Sequence, residues 1–419
     1  MVEFNSILCG IILPVFLLGA GIFFAIKLRF FYILKPISTL KSIIFCKGGF
    51  SSLCVALAGT LGVGNIVGVS SAVIGGGYGS IFWMWLSAFL SMSLKYTEVT
   101  LAMNHRRVKD GKYYGGAPYY IYEGFKKRIR SEKAFLLGSI FAILCAINSL
   151  STGNLVQSNA ASELFNVPKI TFGLVFALLA LLVVCRGIKR ISKFSSILMP
   201  ILSILYIAMC LYIIISNIHK IPSAFTTIIK EAFNIKSVFF GVGGYGITRA
   251  MRFGISRGLL SNEAGCGTSP CAHASSSQEN QHAQGCLGVF EVFFDTIVLC
   301  TLTSLVIIIS SPKQTDNALS LITDAFEKHL GSFGRYGVLI CCLLFAFATV
   351  VTQYFYGIES LQFIKRSRFI KIAFSLVFFL VTIFSALIPM SIMWEISDFV
   401  LALMTIFNII CLLFLQREI

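Results

Sequence analysis

Charge is scarce in this chain. Only 12% of its 419 residues are Asp, Glu, Lys or Arg, about half the share of an ordinary soluble domain, and that deficit excludes a large water-exposed surface. Histidine is scarcer still, with five in all. No HExxH pair and no Ser, His and Asp set in a shared context occurs, so few general bases remain and a membrane enzyme has no support. Cys266, Cys271, His273, His282 and Cys286 lie close together in sequence, but the paired C-x₂-C and H-x₃₋₅-H spacings are missing. No transition-metal site is expected there. The opening MVEFN lacks the basic flank of a signal peptide, so the first apolar run is expected to be kept as a helix. No polar block is left over for the soluble output domain that a non-transporting sensor would usually need.

Hydrophobic residues, in contrast, make up 57% of the chain. A spanning helix needs about 20 apolar residues, which allows ten to twelve of them in an all-α polytopic membrane protein. Eleven runs are read, at 6–26, 52–74, 80–103, 136–163, 170–185, 194–216, 240–262, 286–311, 335–362, 372–389 and 394–416. Thirteen cysteines are scattered mostly within them and read as small buried hydrophobes, not as a disulfide frame.

The formal charge of +16 could suggest nucleic acid, yet the basic residues sit in short gaps between apolar runs and not on a soluble surface. The bilayer is the partner this implies. Segments 27–47, 95–133, 186–193 and 363–371 together with Arg417 hold 24 Lys and Arg, against seven in the alternate loops, while Arg249, Arg252 and Arg257 fall within the seventh run. Because cytoplasmic loops carry the excess of basic residues, the N-terminus is expected outside and the C-terminus inside, in a bacterial inner membrane. The basic, Gly- and Tyr-rich segment 104–133 reads as a cytoplasmic hairpin or surface helix contacting lipid head groups. Trp83 and Trp85 read as an interfacial aromatic anchor, with a direct gating or substrate role as the alternative for Trp83.

The stretch from Ala58 to Glu98 organises the rest. Gly59, Gly62, Gly64 and Gly68 stand there in an apolar run beside Thr60 and Asn65, although glycine costs about 1 kcal/mol against alanine inside a helix. Either another helix packs closely on the small-xxx-small pair Gly64 and Gly68, or the helix is broken at mid-membrane and its freed backbone groups hold a ligand. Packing alone does not need Asn65. One N-terminal helix (1–48) and two five-helix units (49–217 and 218–419) form a single transporter domain. Since five is odd, the two units must be inverted with respect to the membrane, and discontinuous helices then meet at the midplane.

GTLGVGNIVGV followed by GGGYGSIFWMW resembles the hallmark of the alanine/glycine:cation symporter family, also called sodium:alanine symporters. The similarity runs on through SNEAGCGTSP at 261–270 and FAFATVV at 345–351 and covers nearly the whole chain. It implies a leucine-transporter type of fold and alternating-access symport of Na⁺ with a small neutral amino acid such as alanine or glycine. Free backbone N–H groups suit a carboxylate, and Gly62, Val63, Gly64 and Asn65, with Thr60 nearby, are assigned to it. Oxygens of Gly59, Thr60, Asn65, Thr349 and Thr352 suit Na⁺.

Asn154 and Gln157, at i and i+3, are expected on one helix face; they bond either between helices or to the ligand, and the match to GNxVQ implies that Gln157 reaches the substrate. SNEAG implies substrate contacts at Asn262 and Gly265 and a gating or coupling role for Glu263, which otherwise reads as a helix cap together with Ser261. Glu291 and Asp295, four apart in an apolar helix, suggest a cation or proton path. FFDT supports Asp295 as an ion ligand, whereas the family usually has glycine at Glu291, which is then a private feature or a solvated residue near the inner end. Gln353 takes the place of the tryptophan that borders the substrate side chain, Thr352 that of a glycine, Tyr78 that of a proline and Ser91 that of another glycine. The Gln353 exchange opens volume and adds hydrogen-bonding capacity, and with Glu291 it opens an alternative reading in which a larger or polar amino acid, or H⁺ coupling, replaces the family pattern.

Overall fold

The computed structural model describes all residues except 1, 45, 47, 110, 166, 186, 234–242, 313 and 314. The described residues are almost entirely helical. The principal helices are α1 (Phe4–Lys27), α2 (Pro36–Ile44), α3 (Gly49–Thr60), α4 (Val67–Gly76), α5 (Gly79–Asn104), α6 (Ala117–Lys126), α7 (Ser131–Ser162) and α8 (Lys169–Val184). They continue with α9 (Ile188–Ser216), α10 (Ile221–Ala232), α11 (Gly243–Asn262), α12 (Gln281–Ser310), α13 (Ala318–Ile364), α14 (Arg368–Leu387) and α15 (Met390–Glu418).

Seven of these, α1, α7, α9, α12, α13, α14 and α15, are long and apolar enough to cross a membrane, or eight if the bent pair α2 and α3 is one span. Eleven were expected. The other expected runs fall on an interrupted pair, α3 with α4, on the shorter α8, and on α5 and α11, which are long enough but less apolar. The start of the seventh run, 240–242, lies outside the described residues. Two helices were not expected at all. α2 and α10 are short and half-exposed, and their mixed composition carries no spanning signal.

Two features come from local chemistry. α13 runs on for 47 residues, but Gly331 adopts φ 59°, ψ −150°, so the expected span at 335–362 is the part beyond this kink. Only glycine takes that conformation without a side-chain penalty. Segment 104–133 contains the expected hairpin, an antiparallel pair with Arg107 opposite Tyr114 and Lys109 opposite Lys112, but α6 after it is not a surface helix, since Ala117–Ile121 and Gly124 are buried.

The core lies where α3, α4, α5, α11, α12 and α13 meet. α5 is the clearest case of a tertiary override. Lys95 and Glu98, counted with the cytoplasmic loop on sequence, are fully buried in the middle of this helix.

Candidate functional site

The glycine-rich run is a broken helix. α3 ends when Leu61 turns to ψ 87°, Gly62 is extended at φ −128°, Val63–Asn65 make one 3₁₀ turn, and α4 starts at Val67. Such a break leaves backbone groups without intrahelical partners, and burying them unpaired would be costly. Five side chains answer them, four from α7, α12 and α13 and that of Asn65 itself. The Val63 N–H donates to Gln157 Oε1 at 2.9 Å, and the Gly62 N–H donates to Asn65 Oδ1 at 3.1 Å. Thr349 Oγ1 lies 3.3 Å from the Leu61 carbonyl, Gln353 Nε2 3.5 Å from that of Gly59, and Thr303 Oγ1 2.9 Å from that of Asn65.

Close packing is present as well, so the two readings of the glycines combine. At Gly62 the backbone dihedrals suit any residue, and space is the constraint. A Cβ there would stand 2.7 Å from both Gln157 Oε1 and Thr349 Oγ1. At Gly64 it would stand 3.2 Å from the Ser261 Cα, whereas at Gly68 it would meet only ordinary contact at 3.9 Å.

Two polar clusters flank the break. In the first, Asn65 Nδ2 reaches Asp295 Oδ1 at 2.8 Å and Ser261 Oγ at 2.9 Å. Ser261 Oγ donates to Asp295 Oδ2 at 2.7 Å and Thr296 Oγ1 to the same oxygen at 2.8 Å. Asn262 Nδ2 donates in turn to Thr296 Oγ1 at 3.0 Å. Asp295 is therefore buried among donors, and its carboxylate fixes the amide of Asn65, whose Oδ1 then faces back to Gly62.

The second cluster joins Gln353 to the turn after α11. Gln353 Nε2 donates to Glu263 Oε1 at 2.7 Å, and Thr268 Oγ1 donates to Glu263 Oε2 at 2.5 Å. Glu263 is buried at φ 47°, a left-handed conformation rare for a residue with a side chain. Neither a solvated cap nor a surface turn fits that position. Behind it, Lys95 Nζ donates to Ser269 Oγ at 2.7 Å and to the Glu263 carbonyl at 3.3 Å, and it pairs with Glu291 Oε1 at 3.3 Å. His273 Nε2 meets Glu291 Oε2 at 3.0 Å, and Gln284 Nε2 meets His273 Nδ1 at 2.7 Å. If the Gln284 amide donates to Nδ1, the proton of the ring sits on Nε2 and points at Glu291.

Glu291 is thus not a solvated residue near the inner end. It is fully buried, because Lys95 of α5 supplies the counter-charge that one helix pattern could not reveal. Asn154 and Gln157 also differ from expectation. A π-helical stretch at Ser151–Leu155 precedes Gln157 and shifts the register. Asn154 consequently turns to α14, donating to the Phe378 carbonyl at 2.7 Å and accepting from Thr382 Oγ1 at 3.0 Å, while Gln157 alone reaches the break.

The remaining predicted positions divide. Thr352 Oγ1, Gln353 Oε1 and Tyr356 Oη are buried oxygens on α13 with no hydrogen-bond partner among the described residues. Thr60 Oγ1 bonds back to its own helix, 3.3 Å from the Ala56 carbonyl. Gly265 does not join the break: at φ 87° it packs near Leu17, Leu94 and Thr405, and its carbonyl accepts from Asn408 at 2.9 Å. Trp83 packs with Phe82 and Phe233, apart from both clusters, and Trp85 Nε1 donates to Thr301 Oγ1 at 2.7 Å. That bond draws Trp85 toward α12, so the indole N–H of this anchor candidate is engaged within the protein.

Sequence reasoning missed Lys95, Thr268, Thr296, Thr303 and Gln284. Lysine inside an otherwise apolar run was the one available signal. It also missed a second buried pair, in which Arg257 Nη1 and Nη2 hold Asp398 at 2.7 and 3.2 Å while the guanidinium lies 4.3 Å from the Trp394 ring. A cavity of about 400 Å³, lined by Val67, Ser71, Ala160, Phe253 and Trp394 with Glu163, lies against α4 beside this pair.

An all-helical bundle with seven to eight helices able to span a membrane, one of its helices interrupted, defines a polytopic membrane protein. The chain belongs to the sodium:alanine symporter family, whose model matches residues 1–419. It is 35% identical to the sodium/alanine symporter AgcS of Methanococcus maripaludis, over 98% of this chain and 93% of that one. It is 30% identical to the probable sodium/glutamine symporter GlnT of Bacillus subtilis, over 99% and 87%. A transporter of Haemophilus influenzae described as uncharacterized is 34% identical over 96% and 85%. Membership makes the chain a membrane transporter, and amino-acid transport is the activity supported by the family and its named carriers.

Proposed function

We propose that this protein is a secondary active symporter that couples inward movement of Na⁺ to uptake of a small neutral amino acid, alanine or glycine, by alternating access. The observation that carries the reading is the break at Leu61–Ile66, whose released backbone groups are held by side chains of three other helices. Substrate would exchange for part of this network. Its carboxylate would take the N–H groups at Gly62–Asn65 now facing Asn65 and Gln157, and Na⁺ would take oxygens from Gly59 to Leu61 with Thr349 and the unpartnered Thr352 Oγ1. Except at Thr352 Oγ1, each exchange would trade a protein hydrogen bond for a ligand contact. Asn65, held by Asp295 and Ser261, links the two halves of the chain.

The architecture proposed with it is eleven spans, N-terminus outside and C-terminus inside, in a bacterial inner membrane. Units 49–217 and 218–419 are the inverted repeats, of the leucine-transporter type, with α3/α4 as the discontinuous first helix of one and α11 with the short helix Pro270–Ala274 as that of the other. Rocking of the helices that carry the break, α3/α4 with α11, against α7, α13 and α14 would alternate access.

A second reading keeps the scaffold and changes the substrate. Gln353 presents a buried Oε1 without a partner, which a hydroxyl or amide of a larger, polar amino acid would satisfy, and one relative is named a probable glutamine symporter. Glu291, which prompted a proton-coupled reading, is already engaged by Lys95 and His273. The deciding experiment is uptake of radiolabelled alanine into proteoliposomes driven by an inward Na⁺ gradient, with unlabelled amino acids as competitors. Na⁺-dependent uptake blocked by glycine and alanine supports the first reading. Counterflow with glutamine or another polar amino acid, without alanine uptake, supports the second. Asn65→Ala should abolish uptake at normal expression, and full activity in that variant would remove the break from the site.

A further inference from the structure

Far from the break, α8 and α14 enclose a groove of about 850 Å³ whose walls are almost wholly apolar, well within the range of small-molecule sites. On α14 the lining residues Arg368, Lys371, Ser375, Phe379 and Ile383 recur every three or four positions. They form one face of the helix, about 22 Å long at 1.5 Å per residue. The groove is closed at one end. There Gly173 of α8 lies against the backbone of Ile383, and an added Cβ would run into the Ile383 carbonyl. At the other end the lining includes Arg368 and Lys371, both exposed, next to Leu181 of α8. Arg366 does not contribute, since its guanidinium sits 3.7 Å from the Tyr114 ring.

We propose that this groove binds one anionic phospholipid, with an acyl chain along the α8–α14 seam and its phosphate between Arg368 and Lys371. The charge pattern selects the occupant. A second copy of this chain would have to bury two cations for which the groove offers no acid, whereas an anionic head group pairs with both at the level where the apolar walls stop. Basic residues near a membrane surface attract anionic lipid by about 1 kcal/mol each, so a zwitterionic lipid of the same chain length gains far less. Ser375 in the wall is hydrogen-bonded to Tyr354 at 2.7 Å, and Phe379 stacks on the same tyrosine. The groove is therefore backed by α13, one residue from Gln353, and its lining is held in place.

Native mass spectrometry of the detergent-purified full chain, titrated with phosphatidylglycerol or with phosphatidylcholine of matched chains, tests this. Wild type should retain one phosphatidylglycerol in preference to phosphatidylcholine, and R368Q/K371Q should weaken that retention about thirtyfold while melting at the wild-type temperature. A bulky Ala177→Leu in the groove wall should weaken both lipids together. Equal retention of the two lipids, retention unchanged in R368Q/K371Q, or a lipid-free dimer mass would each overturn the assignment.

Discussion

Replacing Glu291 by leucine should destabilise the protein by about 4 kcal/mol, most of it through Lys95. Both side chains are fully buried and 3.3 Å apart. Removing one member of such a pair typically costs about 3–5 kcal/mol, because the other charge is left uncompensated. Lys95 would keep Ser269 Oγ and the Glu263 carbonyl, and Glu98 and Glu263 are further acids near it. The lower end, about 3 kcal/mol, therefore applies to the lysine. His273 loses the acceptor at its Nε2 in the same step, which adds about 1 kcal/mol. At about 2 °C per kcal/mol, the low end for large chains, the melting temperature in detergent should fall by about 8 °C.

The reasoning is sharpened by the double variant Lys95→Met/Glu291→Leu. Since apolar residues of similar volume often replace a buried pair at little cost, it should recover most of the loss. Followed by the fluorescence of a fused reporter on heating, the four proteins of this cycle separate pairing from packing. A single Glu291→Leu variant that melts with wild type, or a double variant less stable than the single, would refute the argument.

Three other outcomes follow from distances around the site. Gly62→Ala must push Gln157 or Thr349 away from the break, each 2.7 Å from the new Cβ; uptake in proteoliposomes should be lost while expression in the membrane, read by immunoblot, is kept. Gln353→Trp removes the unpartnered Oε1 and the bond to Glu263, so a competition panel should shift toward small apolar amino acids and away from polar ones. Asp398→Leu leaves Arg257 buried without its acid, which should cost about 3 kcal/mol, read as a lower melting temperature that Arg257→Met in the same chain largely restores.

Much of this site was legible before any coordinates. Gly62, Gly64 and Asn65 mark a break because glycine in a helix is costly and an amide in lipid needs partners, and both arguments are local. Gln157 was singled out through the resemblance to GNxVQ, and Thr349 and Gln353 as polar groups on one helix face, and all three do converge on Gly59–Val63. Asn154 was not placed correctly, because the π-turn at Ser151–Leu155 leaves no mark in hydrophobic periodicity. Gly265 and Trp83 came in with motifs that surround the site, and their side of the fold is occupied by packing. Thr296, Thr268 and Thr303 were invisible, since a threonine in an apolar helix usually bonds to its own backbone and only a neighbour shows otherwise.

The amino-acid sequence by itself determined that the chain lives in a membrane and that one helix is interrupted near Asn65. Those properties depend on composition and on residues a few positions apart. Tertiary structure alone decided the charge pairing. Lys95 looked like one more cytoplasmic cation and Glu291 like a stray acid, and they are 196 residues apart in sequence. A buried charge is tolerable only against its counter-charge, and which two helices meet to provide it is not written in either of them.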